Sequence, residues 1–163
     1  IIGKALVVQP IQVFGKGRVV FNEKVQLGYF PAPRYYNGVI YLEVREKQSF
    51  IEFGKNTFVN NNFIAICSHS GIKIGDNVFI GHDVEMIDSD FHAIDPVERL
   101  KNGPFDSSPI EIGNNVFIGS FVKIMKGVSI GENSVIAHSS LVTKSFPANV
   151  IIGGNPAKII REL

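Results

Sequence analysis

Residues 112–147 repeat every six positions, and no other feature of this chain restricts its fold as tightly. Aligned in sixes from Ile112, the first column reads Ile112, Ile118, Ile124, Ile130, Ile136 and Val142, without a polar residue. The second column, Gly113, Gly119, Met125, Gly131, Ala137 and Thr143, is mostly small. The fifth reads Val116, Val122, Val128, Ser134, Ser140 and Phe146. The frame recurs at Ile74, Ile80 and Met86, with Gly75 and Gly81 behind the isoleucines. It is weaker at Phe53, Val59 and Ala65, and an echo remains at Phe21 and Leu27. Six is neither the 3.6-residue period of a helix nor the plain alternation of a flat strand.

A short strand and a turn, repeated, satisfies this pattern. One branched side chain points inward per six residues, and a small one follows where the backbone bends without room for a bulky Cβ. Stacked coils pair their backbones in parallel, each resting on its neighbours. The expected fold is all-β, a parallel β-helix built from hexapeptides. An ordinary sandwich would instead show turn signals every 8–12 residues. Three hexads make one coil, giving Ile74–Phe91, Ile112–Ser129 and Ile130–Pro147, with Phe53–Ser70 before them and Gly71–Lys73 as extra corner residues. Two stretches fall outside: a protruding loop at 92–111 and an aromatic, proline-rich excursion at 29–41, "YFPAPRYYNGVIY". The ending "NPAKIIREL" places proline near a helix start and predicts a short C-terminal helix. The chain is read as a single domain over 1–163: looser coils to residue 49, regular coils over 50–153, and a cap at 154–163.

Composition narrows the class. At 163 residues and 45% hydrophobic content the chain can bury a core. A net charge of +1 gives no global reason to expect nucleic acid as a partner. From Ile112 onward, Lys123, Lys126, Lys144, Lys158 and Arg161 face only Glu132 and Glu162, a local excess that suits an anionic ligand. Cys67 is the single cysteine, so no internal disulfide forms and a reducing, cytoplasmic location is expected. No apolar run approaches the ~20 residues of an integral membrane segment. The start, "IIGKALVVQP", lacks the regions of a secretory signal and also an initiator methionine, as a trimmed chain would.

The array of I-G-x-x-V/S hexads, the loop opening at His92 ("HAIDPVERLKNGPFDSSPIEIG") and the ending "VTKSFPANVIIGGNPAKIIREL" resemble the hexapeptide-repeat acyltransferases. The likeness is greatest to galactoside and maltose O-acetyltransferases and polysaccharide O-acetyltransferases, over about residues 50–163. The resemblance implies a left-handed β-helix working as a homotrimer, with acetyl-CoA as co-substrate in the groove between subunits and no metal required. It implies His92 as the catalytic histidine. Asn62 and, less directly, Asn60 would contact the acceptor. Ser120 would lie near the thioester and pantetheine, with Ala137, Thr143 and Lys144 along the cofactor. Lys158 and Arg161 would stand near the CoA phosphates. Two departures bear on acceptor choice: residues 1–49 replace the N-terminal helical segment of the sugar-acetylating branch, and Phe117 stands where tryptophan is common.

The chemistry fits these residue types. An attacking hydroxyl must lose its proton, and an imidazole's ordinary pKa of ~6.5 lies close to working pH. Backbone N–H groups at the Gly119–Ser120 corner are candidates for the developing oxyanion. Cys67 has no activating neighbour in sequence, so direct transfer is expected. Asp90, in the inward fifth column of its hexad and a candidate acceptor-site residue, either orients His92 or ends its strand. Asn60 and Asn62 are equally readable as corner residues in left-handed geometry, the C-terminal cations as a solvated face, and Tyr35 and Tyr36 as loop packing. Acceptors other than sugar hydroxyls stay open: an amino-sugar nucleotide taking an N-acetyl group, an antibiotic, or serine. A zinc enzyme of the γ-type carbonic anhydrase kind would need His69, His82, His92 and His138 to converge, yet His82 and His138 occupy outward positions on separate coils. A structural or ice-binding solenoid would present a threonine-rich face, and the chain has only Thr57 and Thr143.

Overall fold

The computed structural model describes residues 1–163, and almost all of its regular structure is strand, paired mostly in parallel. Register follows the hexads. Ile112 pairs with Ile130, Ile118 with Ile136 and Ile124 with Val142, each eighteen residues on and each in a different ladder. Three ladders result. The first holds Arg18–Phe21, Phe50–Phe53, Gly71–Ile74, Ile110–Ile112 and Ser129–Ile130. The second holds Gln26–Leu27, Phe58–Val59, Phe79–Ile80, Phe117–Ile118, Val135–Ile136 and Val150–Gly154. The third holds Ile11–Gly15, Ile40–Val44, Ile64–Cys67, Glu85–Ile87, Lys123–Ile124 and Leu141–Val142. First- and fifth-column side chains face inward, and one apolar core runs from Val19 to Ala157. Burying a side chain of this size contributes about 1.5–3 kcal/mol.

Corners join the ladders, and at two of them each coil carries a residue at positive φ. On the corner between the first and second ladders these are Lys24, Asn56, Asn77, Asn115, Asn133 and Asn149. Asparagine tolerates this conformation best after glycine. The amides also bond one another, Asn56 to Asn77 at 3.0 Å, Asn115 to Asn133 at 3.2 Å and Asn133 to Asn149 at 2.9 Å. Second-column residues are small because the next coil passes directly over them. A Cβ on Gly81 would lie 2.5 Å from the Ser120 nitrogen, and one on Gly119 2.7 Å from that of His138.

Six expectations need correction. The loop starts and ends earlier than 92–111. Ser108 N–H donates to the Asp88 carbonyl at 2.8 Å and Ser89 bridges Ser107, closing a neck, while Ile110 already pairs with Ile72. The excursion is therefore 89–109. It carries the only helix, Pro96–Leu100, whose first turn is capped by the Asp95 carboxylate. The aromatic excursion ends at Val39, because Ile40 is in strand with Ile11. Gly71–Lys73 are strand rather than corner; the surplus residues are Ser68–Ser70, whose backbone is held by Asp88. Asp90 is not inward. The buried acid is Asp88, accepting from the N–H groups of Ser68 (2.7 Å) and Ser70 (2.9 Å), while Asp90 pairs with Lys126 at 3.0 Å. Finally, no C-terminal helix forms. Ala157–Glu162 pairs antiparallel with Val150–Gly154, as the Asn-Pro turn and the branched Ile159 and Ile160 favour. The last coil is also two residues short: Phe146, expected in the fifth column, lies opposite Ile130 in the first.

Buried polar side chains pin the aromatic excursion to the stack. Asn61, fully buried, accepts from Tyr29 N–H at 2.9 Å and donates to the carbonyls of Tyr29 (3.0 Å) and Pro33 (2.9 Å). Gln9, also buried, donates to the Arg34 carbonyl at 2.8 Å and accepts from Asn62 N–H at 2.7 Å. Asn61→Ala leaves these groups without their partner, a loss of about 1–3 kcal/mol. The expected outcome is a lower melting temperature with proteolytic cleavage first between residues 29 and 39, read by mass spectrometry of a timed digest. Unchanged resistance there would show that Asn61 is not the anchor.

Candidate active site

The corner between the second and third ladders gathers four of the expected site residues into one vertical column. Asn60 N–H donates to the Ile80 carbonyl (2.9 Å), Gly81 N–H to Ile118 (2.8 Å), Gly119 N–H to Ile136 (2.8 Å) and Ala137 N–H to Ile152 (2.8 Å). Asn60, Gly81, Gly119 and Ala137 are thus stacked along this corner, with Ser120 next to Gly119 and Asn62 beside the lowest. The ladder occupies Gly119 N–H, so that group is unavailable as an oxyanion donor, contrary to the expectation for the Gly119–Ser120 pair. The Ser120 N–H and hydroxyl have no protein partner and remain open.

The positive-φ residues here are Asn62, Asp83, Phe121 and Ser139. Asn62 does adopt the left-handed geometry, and its side chain also donates to Asp83 at 2.6 Å. His82 Nδ1 lies 2.7 Å from the other Asp83 oxygen, and Arg34 Nε lies 3.3 Å from the carboxylate. Burial alone would raise the Asp83 carboxyl; hydrogen bonds from His82 and Asn62 and the Arg34 guanidinium outweigh it and hold the group below the usual carboxylate value. Phe121 sits edge-on between two imidazoles, 4.9 Å from His82 and 5.2 Å from His138. A cleft of about 250 Å³ opens alongside, lined by Asn62, Ile64, Asp83, Phe121 and the Glu85–Lys123 ion pair. The partners of the His82–Asp83 pair lie far apart in the chain, which hides the network in the sequence; the visible signal is an aspartate and a phenylalanine at left-handed positions that the neighbouring corner mostly fills with asparagine.

The other expected residues lie elsewhere. His92 is exposed on the 89–109 excursion, and its ring bonds to nothing in the chain. The excursion leaves from the corner between the third and first ladders, so one whole face separates it from Ser120. Asp90 is at the neck of that loop and pairs with Lys126, without a bond to His92. Thr143 and Lys144 are exposed on the same corner, with Lys144 Nζ 5.6 Å from the centre of the Phe146 ring. Lys158 and Arg161 are exposed on the outer strand of the C-terminal hairpin. Tyr35 packs against Phe30 (4.9 Å) and Tyr36 (5.0 Å). His69 stacks on Phe105 of the excursion at 5.3 Å. Cys67 is fully buried, and burial followed by the nearby Asp88 charge pushes its thiol far up, away from nucleophilic thiolate. No helix is long and apolar enough to cross a membrane.

The family description "Bacterial transferase hexapeptide (six repeats)" matches residues 109–144. A galactoside O-acetyltransferase of Escherichia coli is 44% identical over 115 residues, 71% of this chain and 55% of that protein. WcaF of Escherichia coli, named for a colanic acid biosynthesis acetyltransferase, is 32% identical over 126 residues, 68% of this chain and 69% of that protein. The solved structure of a galactoside acetyltransferase in complex with coenzyme A superposes with a TM-score of 0.64 at 34% identity, covering 97% of this chain and 64% of the other. The chain spans 53% to 65% of the length of five curated relatives it matches. With its ladders in hexapeptide register and this degree of likeness along them, the chain belongs to the hexapeptide-repeat transferase family.

Proposed function

We propose that this chain is an acetyl-CoA-dependent O-acetyltransferase, a left-handed parallel β-helix that acts as a homotrimer and moves an acetyl group to a sugar hydroxyl. The observation that carries this reading is the column at the Ser120 corner. Residues expected at the acceptor (Asn60, Asn62) and at the cofactor (Ser120, Ala137) lie on the same corner in successive coils, with the Ser120 N–H and hydroxyl unbonded. Acetyl-CoA supplies the acetyl group as a thioester, and the coenzyme A thiolate is the leaving group. His92 takes the proton from the acceptor hydroxyl as its oxygen forms the new C–O bond and the C–S bond breaks, and the proton then leaves with the thiolate. Ser120 N–H faces the charge that develops on the carbonyl oxygen. No acyl-enzyme forms, in keeping with the buried, unactivated Cys67.

The face that separates His92 from Ser120 within one chain supports a site shared between copies, His92 of one working on the Ser120 corner of the next. Phe79 and Phe117, 56% and 51% exposed and paired in register, add apolar surface of the kind an interface covers. Thr143 and Lys144 would follow the pantetheine arm, and Lys158 and Arg161 the phosphates.

His92→Ala should reduce kcat about 100-fold or more while leaving acetyl-CoA affinity within about twofold, measured by free-CoA release with galactosides and glucosides as acceptors. Turnover near wild type in this variant would remove His92 from the mechanism. Lys158→Ala should raise KM for acetyl-CoA about threefold with kcat unchanged, as fits one exposed ion pair with a phosphate. An unaltered KM would take Lys158 out of the cofactor site.

A further inference from the structure

We propose that His82, held by Asp83, is an acceptor-positioning residue whose Nε2 accepts a hydrogen bond from a hydroxyl of a neutral sugar, with the aromatic excursion 29–39 tied into the same subsite through Arg34. This inference rests on the O-acetyltransferase reading and names the acceptor class for it.

The tautomer of the neutral ring follows from the partner. An ionised carboxylate only accepts, so in the neutral imidazole the proton of the His82–Asp83 contact is on Nδ1 and the lone pair is on Nε2. No protein group bonds Nε2. Asp83 is held in turn by Asn62 and Arg34, and the two side chains of the pair are only 17% and 12% exposed, so the ring has one orientation. Phe121, edge-on at 4.9 Å, fixes its other side.

Position gives this device a use. Phe121 N–H donates to the His82 carbonyl and Asp83 N–H to the Asn61 carbonyl, both at 3.0 Å. His82 therefore sits one coil below Ser120, where acetyl would be delivered, and one above Asn60–Asn62. The neighbouring corner meets the same backbone requirement with asparagine at every coil but the first, where Lys24 stands. This one places Asp83, Phe121 and Ser139 in left-handed conformation, and phenylalanine there is unfavourable. A phenylalanine retained where the neighbouring corner uses asparagine marks a site where side-chain chemistry outweighs local preference.

Chemistry selects the ligand. Arg34, which pairs with Asp83, belongs to the excursion whose Phe30, Tyr35 and Tyr36 rings cluster within 4.9–6.2 Å, Tyr36 being 87% exposed. An aromatic cluster beside a polar acceptor suits a pyranose, which has an apolar C–H face and a hydroxyl rim. Arg34 is neutralised by Asp83 and Lys123 by Glu85, so the corner offers no free cation to a uronate or sialate.

His82→Phe keeps the ring against Phe121 and removes the acceptor atom, whereas His82→Gln keeps an acceptor. In the full chain, His82→Phe should raise the KM of a neutral methyl pyranoside about tenfold or more, with KM for acetyl-CoA unchanged, and His82→Gln should recover most of that loss. An unchanged acceptor KM in His82→Phe would overturn the inference, as would equal rises in both KM values. Better use of a uronate than of the neutral glycoside would overturn the ligand class. If the wild-type chain transfers acetyl to no sugar, the O-acetyltransferase reading fails by itself. The inference is then judged by saturation-transfer NMR of the methyl pyranoside without acetyl-CoA, where binding lost in His82→Phe supports it and binding equal in both proteins overturns it.

Discussion

A coil that closes in three short strands must bend sharply at each corner, and the bend demands a backbone conformation that most L-residues avoid. Everything else in this protein is arranged around that demand. The parallel ladders need each corner N–H to meet a carbonyl one coil away, so the bend recurs at the same height in every coil. The second-column glycines exist because the next bend lies directly on them, as the Gly81–Ser120 approach demonstrates. On one corner the demand is met by asparagines whose amides bond up the stack, which makes that edge a structural seam.

The other corners depart from that seam, and the departures coincide with chemistry. Between the second and third ladders the left-handed positions hold an aspartate, a phenylalanine and a serine above Asn62, and Asn62, Asp83 and Phe121 border a cleft. Between the third and first ladders the bend is opened altogether and the 89–109 excursion emerges. Asp88 keeps the opening from disturbing the ladders: its backbone holds the neck and its carboxylate secures the Ser68–Ser70 turn in the coil before it. A rigid stack with one seam and two variable edges is a scaffold on which site residues change without loss of the core.

Much of this was legible in the sequence, for a reason that also marks the limit. A first-column side chain is inside because of its own position in a local repeat, so Ile112 to Val142 could be placed from spacing alone. Features set by partners far along the chain could not. Asp88 and Asp90 look alike in "IDSD", and only the Ser68 and Ser70 amides decide which one is buried. The two-residue shortening before Phe146 leaves the hexads readable in the wrong frame, and Ile130 across the ladder corrects it. Pro156 signals a helix start and a turn equally well; the branched residues after it and the open edge of Val150–Gly154 favour the hairpin. At the site, Asn60, Asn62, Ser120 and Ala137 came together because they share the repeat. His82 was set aside as outward-pointing, although outward at a corner is where a ligand approaches. Asn62 and Arg34, which hold its partner Asp83, are 21 and 49 residues from that aspartate in the chain.

The clamp on the aromatic excursion also dictates an order of assembly. Its two buried anchors come from opposite sides in the chain, Gln9 well before the segment and Asn61 well after it. A nascent chain that has reached Val39 holds the first anchor and lacks the second, which arrives only with the coil containing Phe58–Val59. The excursion is thus ordered retrospectively, once the stack has grown past it. Its tyrosines become a fixed surface only on a chain whose third ladder has been extended to Ile64, so the surface also reports that the solenoid beneath it has formed.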